Sequence, residues 1–291
     1  MRSLPVRLGV LRALLKEIAV SGRDEKPLVV GGARELAAVL RRELGGGASP
    51  GGVRAGDSPE GAAVLVYVLG HAPTEDDEAA LARARRARVP IVAVTGHDEA
   101  AIPHVLATDV VRVGAGEGFP VDRIARTIAA RLGEDGAPLA ARVPGLRRAV
   151  ADQLVASFSR RNGIVGAAVF IPGADLPLLT LNELRLLLRL EQAYGLEIDL
   201  RERLPELAAT IGAGFGLRAL ARELLELVPP GTAKRGPGLL AGRRRLGRRR
   251  FQPVAGWAVK GGVAYAGTRA LGEAAIQRLE ALRLEASPGS H

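Results

Sequence analysis

The chain has 291 residues, 47% apolar and only 3% aromatic, so any core is built from Leu, Val, Ile and Ala, with room for two domains of ordinary size. Cysteine is absent, which excludes disulfides, thiolate nucleophiles and cysteine metal sites. The formal charge of +10 invites a nucleic-acid reading, but Lys234, Arg235, Arg243, Arg244, Arg245, Arg248, Arg249 and Arg250 carry eight of those charges with no acid among them, leaving +2 for the rest. The basicity therefore belongs to one loop.

Residues 4–20 read as an amphipathic helix. Leu4, Leu8, Leu11, Leu15 and Ile18 recur at helical spacing. It would dock on a neighbouring domain or lie on a membrane surface. A secretory leader is not expected, because Arg7, Arg12 and Lys16 interrupt the apolar run.

From residue 26 to 133, short apolar runs alternate with helical patterns. Strands are expected at 28–30, 53–55, 64–69, 90–94 and 110–113, and helices at 33–44, 74–87 and 119–132. Thr74 is placed to cap the second of these by accepting the amide of Asp77. VLVYVL at 64–69 is the kind of run that is buried on both faces. Such alternation implies a mostly parallel, Rossmann-like or P-loop-like α/β sheet.

Residues 133–144, rich in Gly, Ala and Pro, read as a linker. Beyond them the pattern is helical: 145–160, a long helix from about 177 to 194, 203–228, and 254–284. The longest apolar block, 163–195, is expected to be the hub. The helical domain spans 144–286, with the basic loop 230–252 set into it. No run is a clean membrane span, since each candidate contains charges or prolines. Ala258, Gly262, Ala266 and Ala270 fall four apart on one helix face, a spacing suited to close helix packing.

Three fragments of the α/β half resemble GTPase motifs. DSPEG at 57–61 resembles the switch II motif, TGHD at 95–98 stands where the guanine reader would, and GAGEGFPVDRIARTIAARL resembles the last motif and final helix. The first turn departs from that family. A P-loop needs GxxxxGK[ST], in which amides wrap phosphates, Lys neutralises them and the hydroxyl holds magnesium. Here it reads VVGGARELAAV, with Glu35 in the first helical turn. Gly31, Gly32 and Asp98 are what would remain of a nucleotide site, so the resemblance implies a pseudo-GTPase; an unrelated doubly wound domain is the alternative.

The helical half is similar to the bacterial family called domain of unknown function 697, often fused to GTPase domains and including YcjF-type membrane proteins. The matching segments are IPGADLPLLTLNELRLLLRLEQAYG, ELLELVP and VAGWAVKGGVAYAGTRALGEAAI. They cover most of 163–279 and include Asp175, Tyr194, Gly195 and Trp257. In that family ELVP runs almost directly into PVAGW, so the Arg-rich loop stands out as inserted.

Asp175 reads most simply as a helix cap, and alternatively as an acid facing a polar cavity. Tyr194-Gly195 reads as a helix end. Trp257 is either core or an interfacial anchor. Glu75, Asp76, Asp77 and Glu78 suit the positive end of a helix without any metal. The arginines at 243–250 form a solvated insertion or contact anionic lipid headgroups; nucleic acid is disfavoured because only Phe251 is nearby for stacking.

Taken together, the expectation is a non-catalytic protein with no cofactor and no catalytic or metal residues. It would attach to an anionic membrane surface on the cytoplasmic side of the cell membrane, or to a GTPase, another protein or a second copy of itself. The alternatives are a nucleotide-binding GTPase-like enzyme without a standard P-loop, and a soluble nucleic-acid binder acting through the arginine loop.

Overall fold

The computed structural model describes residues 8–96, 101–168, 176–196 and 252–286. The first helix, α1, is Leu8–Gly22. The α/β half then runs β1 (Leu28–Gly32), α2 (Arg34–Leu44), β2 (Val53–Ala55), β3 (Val64–Leu69), α3 (Glu75–Arg86), β4 (Ile91–Thr95), β5 (Val110–Arg112) and α4 (Val121–Leu132). This is the order of strands and helices that the apolar periodicity predicts. The five strands are all parallel, in the order β2-β1-β3-β4-β5.

Because strand side chains alternate between faces, the sheet divides its residues by parity. Val30, Val66, Val68, Val92 and Val94 face α2 and α4. Val29, Leu65, Tyr67, Leu69, Ile91 and Ala93 face α3. The crossover from β2 to β3 has no helix: residues 56–63 lead from β2 past β1 to β3. Eight residues reach at most about 28 Å when extended, ample for a five-residue strand. Ala62 on this connection fills the core beside α3.

After α4 the segment expected as a linker is instead structured and buried. A 3-10 turn at Gly133–Asp135 leads into α5 (Gly136–Arg142), whose Gly136 to Ala140 are all buried. Proline sits here in the first turn of α5, where a missing N–H does no harm. Small residues let α5 approach closely, and a Cβ on Gly136 would already lie 3.3 Å from Val150. Arg142 then clasps the start of the sheet, donating from Nη1 to the Glu25 carbonyl (3.0 Å) and from Nη2 to that of Lys26. The Ser49 amide donates to the Arg142 carbonyl (2.8 Å).

The helical half continues with α6 (Arg147–Ala168), α7 (Leu176–Ala193) and α8 (Gln252–Ala286). Helix α6 is longer than the 145–160 expected and absorbs the first residues of the apolar block, so that block is not one unit. A single core runs from Leu28 and Val30 in the sheet through Ile128, Val150 and Phe158 to Tyr194, Ile276 and Leu279.

Helices α6 and α8 cross at van der Waals contact through small residues. A Cβ on Gly261 would meet the Gly163 carbonyl at 2.8 Å, and one on Gly166 would meet Ala264 Cβ at 2.8 Å. The touching face is thus Gly261, Ala264, Thr268 and Gly272. The stripe expected from the sequence lies one residue, or about 100°, around the helix. Gly262, Ala266 and Ala270 are exposed, and a Cβ added to Gly262 would have no neighbour within 4 Å. A polar chain pins the register beside this crossing. Asn182 Nδ2 donates to Asn162 Oδ1 (2.8 Å), and Asn162 Nδ2 donates to Thr268 Oγ1 (2.8 Å). The Asn162 amide is fully buried, so its bonds to α7 and α8 favour the alignment in which both are made.

Helix α1 docks on α7, the first of the two readings of the amphipathic pattern. Leu14 and Ile18 pack on Leu184, Leu187 and Leu188. Around that patch Glu17 pairs with Arg185, Arg185 Nε pairs with Glu134 (3.1 Å), and Glu134 pairs with Arg161 (2.8 Å). The buried Arg189 donates to Ser21 Oγ (2.6 Å) and Gln192 Oε1 (3.0 Å).

Candidate functional site at the carboxyl edge of the sheet

In a parallel sheet of this order, the direction in which successive strands are added reverses between β1 and β3, and the crevice outside their carboxyl ends is where ligands bind. Gly31 and Gly32 stand there. Gly32 has φ +94°, and a Cβ on it would lie 2.1 Å from the Val68 carbonyl oxygen. The next amide, of Ala33, donates to that oxygen (2.8 Å). Only glycine fits where β1 must turn against β3.

Gly31 has a different neighbour. A Cβ there would lie 2.4 Å from Asp57 Oδ1 and 2.6 Å from the Gly56 carbonyl. Asp57 Oδ1 in turn accepts the Gly32 amide at 2.7 Å. The chain's own carboxylate therefore satisfies the amide of this turn. Both glycines are explained by contacts inside the protein. Asp57 begins the DSPEG fragment, so the structure brings that fragment and the first glycine turn together. What sequence reasoning misses is that the aspartate closes the turn.

The charges agree with the geometry. Two like charges about 4 Å apart repel by ~1 kcal/mol in water and ~4 kcal/mol at an effective protein-surface dielectric. A phosphate at this turn would face Asp57, while the first turn of α2 carries one cation, Arg34, and one acid, Glu35, with no lysine following.

Beside this turn a cleft of about 350 Å³ opens between α2 and the loop that leads from β5 to α4. Its walls are Val68, Val94, Val113, Phe119 and the exposed Leu36 and Val39 of α2. Gly96 of the TGHD fragment and Gly114 and Gly118 of the GAGEG fragment line its mouth. Its ionisable lining residues are Glu43 and Glu117, both acidic. The cleft is thus apolar with a negative rim.

On the opposite face, Tyr67 and Asp77 form a structural lock. Thr74 caps α3 as its sequence predicts: the Asp77 amide donates to Thr74 Oγ1 (3.3 Å), and the Thr74 amide donates to Asp77 Oδ2 (2.9 Å). Tyr67 donates its hydroxyl to Asp77 Oδ1 (2.9 Å). Burial by itself would raise the Asp77 pKa, but the Thr74 amide and hydroxyl and the Tyr67 hydroxyl outweigh it and hold the group below the usual range. Burial, reinforced by Asp77, pushes the Tyr67 phenol well up. Asp77 is fully engaged as a cap, and no metal-ligand cluster occurs among the described residues.

Of the remaining residues singled out in the sequence, Tyr194 and Gly195 end α7. Gly195 has φ +71°, its amide donates to the Gln192 carbonyl (2.9 Å), and the Leu196 amide reaches back to Glu191 (3.1 Å). This is a Schellman stop, for which glycine has no steric penalty. Tyr194 is buried and donates its hydroxyl to Glu280 (3.1 Å) of α8, which also accepts Arg148 Nη1 (3.1 Å) of α6. Burial first, then the Glu280 charge, raises the Tyr194 phenol. Trp257 lies on α8, but its side chain is outside the described residues, as are Asp98, Asp175 and Arg243, Arg244, Arg245, Arg248, Arg249 and Arg250.

Comparison with protein families, with curated proteins and with solved structures finds no match for the chain.

Proposed function

We propose that this chain is a non-catalytic docking protein, in which a degenerate GTPase-like α/β half is locked onto a helical half that serves for attachment. The observation that carries the reading is the Asp57 carboxylate on the Gly32 amide (2.7 Å), an internal anion where nucleotide phosphate would be gripped. The continuous core from sheet to helices supports a rigid platform over a pair of tethered domains. The exposed Leu36 and Val39 give that platform an apolar contact for a protein partner.

The helical half, with its resemblance to the family of unknown function 697, is the proposed attachment module. Among the described residues no helix is long and apolar enough to cross a membrane. We propose attachment at the surface, through the arginines of 230–252 on anionic headgroups, each contributing about 1 kcal/mol near such a surface.

Two measurements test this. Titration calorimetry of the whole protein with GTP and magnesium should show no binding, and micromolar affinity would overturn the pseudo-GTPase reading. Membrane fractions should release the protein in high salt. Release by detergent only, or no association at all, would overturn peripheral attachment. The glycine-lined cleft beside β4 favours a second reading, a small-ligand binder without a P-loop, which the same titration addresses.

A further inference from the structure

At the other pole of the sheet, beside the amino end of β4, lies a second cleft of about 460 Å³, within the range of small-ligand sites. Arg85, Arg88 and Arg131 line it, together with His104 and the single acid Asp109. With histidine neutral the lining carries a net charge of +2. The carboxyl ends of α3 and α4 are nearby and each contribute about half a negative charge, so positive potential still wins. Asp109 is buried and paired with Arg131 Nε (3.0 Å), which fixes that guanidinium against the wall. Arg85 and Arg88 have no ion-pair partner among the described residues.

The backbone gives the second, independent observation. Helix α3 ends in a Schellman stop: the Arg88 amide donates to the Arg85 carbonyl (3.1 Å) and the Val89 amide to that of Ala84 (3.0 Å). The left-handed position of this motif belongs by preference to glycine, and the same chain places Gly195 there at the end of α7. At the end of α3 it places Arg88, with φ +57°. The other described non-glycine residue with positive φ is His104, at +66°, and it lines the same cleft. A strained arginine where glycine would be free indicates that the side chain is wanted in the cleft, since such outliers gather at ligand sites. The floor is apolar, formed by Ile91, Val105 and Leu106, and Leu106 is 58% exposed.

We infer that this cleft binds a soluble phosphate monoester, with the phosphate on the guanidiniums of Arg85 and Arg88 and the apolar or ring body over Leu106. Guanidinium forks match phosphate oxygens two at a time, and a monoester carries about −1.5 to −2 charges at pH 7. The site lies away from the glycine turn and stands whether or not the carboxyl edge binds nucleotide.

Calorimetry of the whole protein with phenyl phosphate and with inorganic phosphate tests it. The wild type should bind phenyl phosphate one to one, at least about tenfold more tightly than inorganic phosphate, a difference of ~1.4 kcal/mol. Arg88→Gly relieves the backbone strain, so it should raise Tm while weakening phenyl phosphate at least about tenfold. Arg85→Gln should weaken both ligands, and Leu106→Ser should erase the preference for the aryl ester alone. Absence of saturable binding by the wild type, or unchanged binding by Arg88→Gly, overturns the inference. So does a wild type that ignores phenyl phosphate but binds phosphatidylglycerol vesicles in an Arg88-dependent way, which would put the phosphate on a lipid.

Discussion

Two adjacent glycines of α8 offer a sharp measurement of how the helices cross. Replacing glycine by alanine inside a helix is worth about 1 kcal/mol in backbone entropy and propensity. At Gly262 nothing lies within 4 Å of the added methyl, so Gly262→Ala should stabilise by about that amount. At Gly261 the same methyl would sit 2.8 Å from the Gly163 carbonyl and 3.0 Å from Ala167 Cβ. The obstacle is mainly the backbone of α6, which cannot rotate aside as a side chain would. Overpacking of this kind costs roughly 1–3 kcal/mol, so Gly261→Ala should come out neutral to destabilising by about 2 kcal/mol. The two variants should differ by roughly 1–3 kcal/mol, or by about 2–6 °C in Tm for a chain of this size. Thermal unfolding followed by circular dichroism reads the difference directly. If Gly261→Ala melts at or above Gly262→Ala, the helices do not cross on the Gly261, Ala264, Thr268 face.

Four further substitutions probe the α/β half. Gly32→Ala forces a methyl to within 2.1 Å of the Val68 oxygen at φ +94°, so a loss of about 3 kcal/mol or more is expected in urea denaturation, and a loss under about 1 kcal/mol would contradict the turn as described. Thr74→Ala removes both the cap of α3 and a hydroxyl on Asp77, with an expected loss of about 1 kcal/mol. The Asp77 pKa is lowered in the folded protein, so its contribution is present above the unfolded value and is lost as pH falls through the folded one. Asp77→Asn should accordingly flatten the acid limb of a stability profile below about pH 5, and an unchanged limb would remove Asp77 from it. The Tyr67 phenol is raised, so its contribution holds below the unfolded value near 10 and fades as pH climbs above it; Tyr67→Phe should make stability less sensitive to alkali.

How far the sequence discloses this molecule depends on which signal each part uses. The alternating strands and the Thr74 cap are legible because both are local: parity of apolar residues and a three-residue spacing suffice. The Gly195 stop is legible for the same reason. The buried α5 is not, because GAPLAAR carries the residues of a loop, and only the neighbouring Val150 and the sheet turn it into core. Spacing alone puts the small-residue stripe on α8 one position off, since Gly261 and Gly262 are chemically identical and which of them faces α6 is decided by the partner helix. Fragments DSPEG and VVGG meet in the fold. That the aspartate closes the turn rests on a hydrogen bond spanning 25 residues, invisible to any local pattern. Arg88 gives no sequence signal, because an arginine at the end of a basic helix is ordinary until its φ is known.

The segment after Asp57 bears on whether such a fold could still act as a switch. In a working switch the γ-phosphate and its metal order a segment that relaxes once the phosphate is gone. Here the corresponding stretch is held at both ends and in the middle by the protein itself. Gly56 donates its amide to Val30 (3.1 Å), Asp57 accepts from Gly32, and Arg54 Nη2 donates to the Ser58 carbonyl (3.1 Å). Ser58 donates to Glu60 (2.7 Å), Ala62 donates back to Pro59 (3.0 Å), and Ala63 donates to Pro27 (2.9 Å). A ligand can shift an equilibrium only by its different affinity for two states, and to open this segment a phosphate would first have to displace a carboxylate from Gly32 and then break that series of bonds. These bonds tie the connection to β1 and to the start of the sheet. The proposed role therefore rests on surfaces that the fold presents, Leu36 and Val39 at one pole and the arginine cleft at the other.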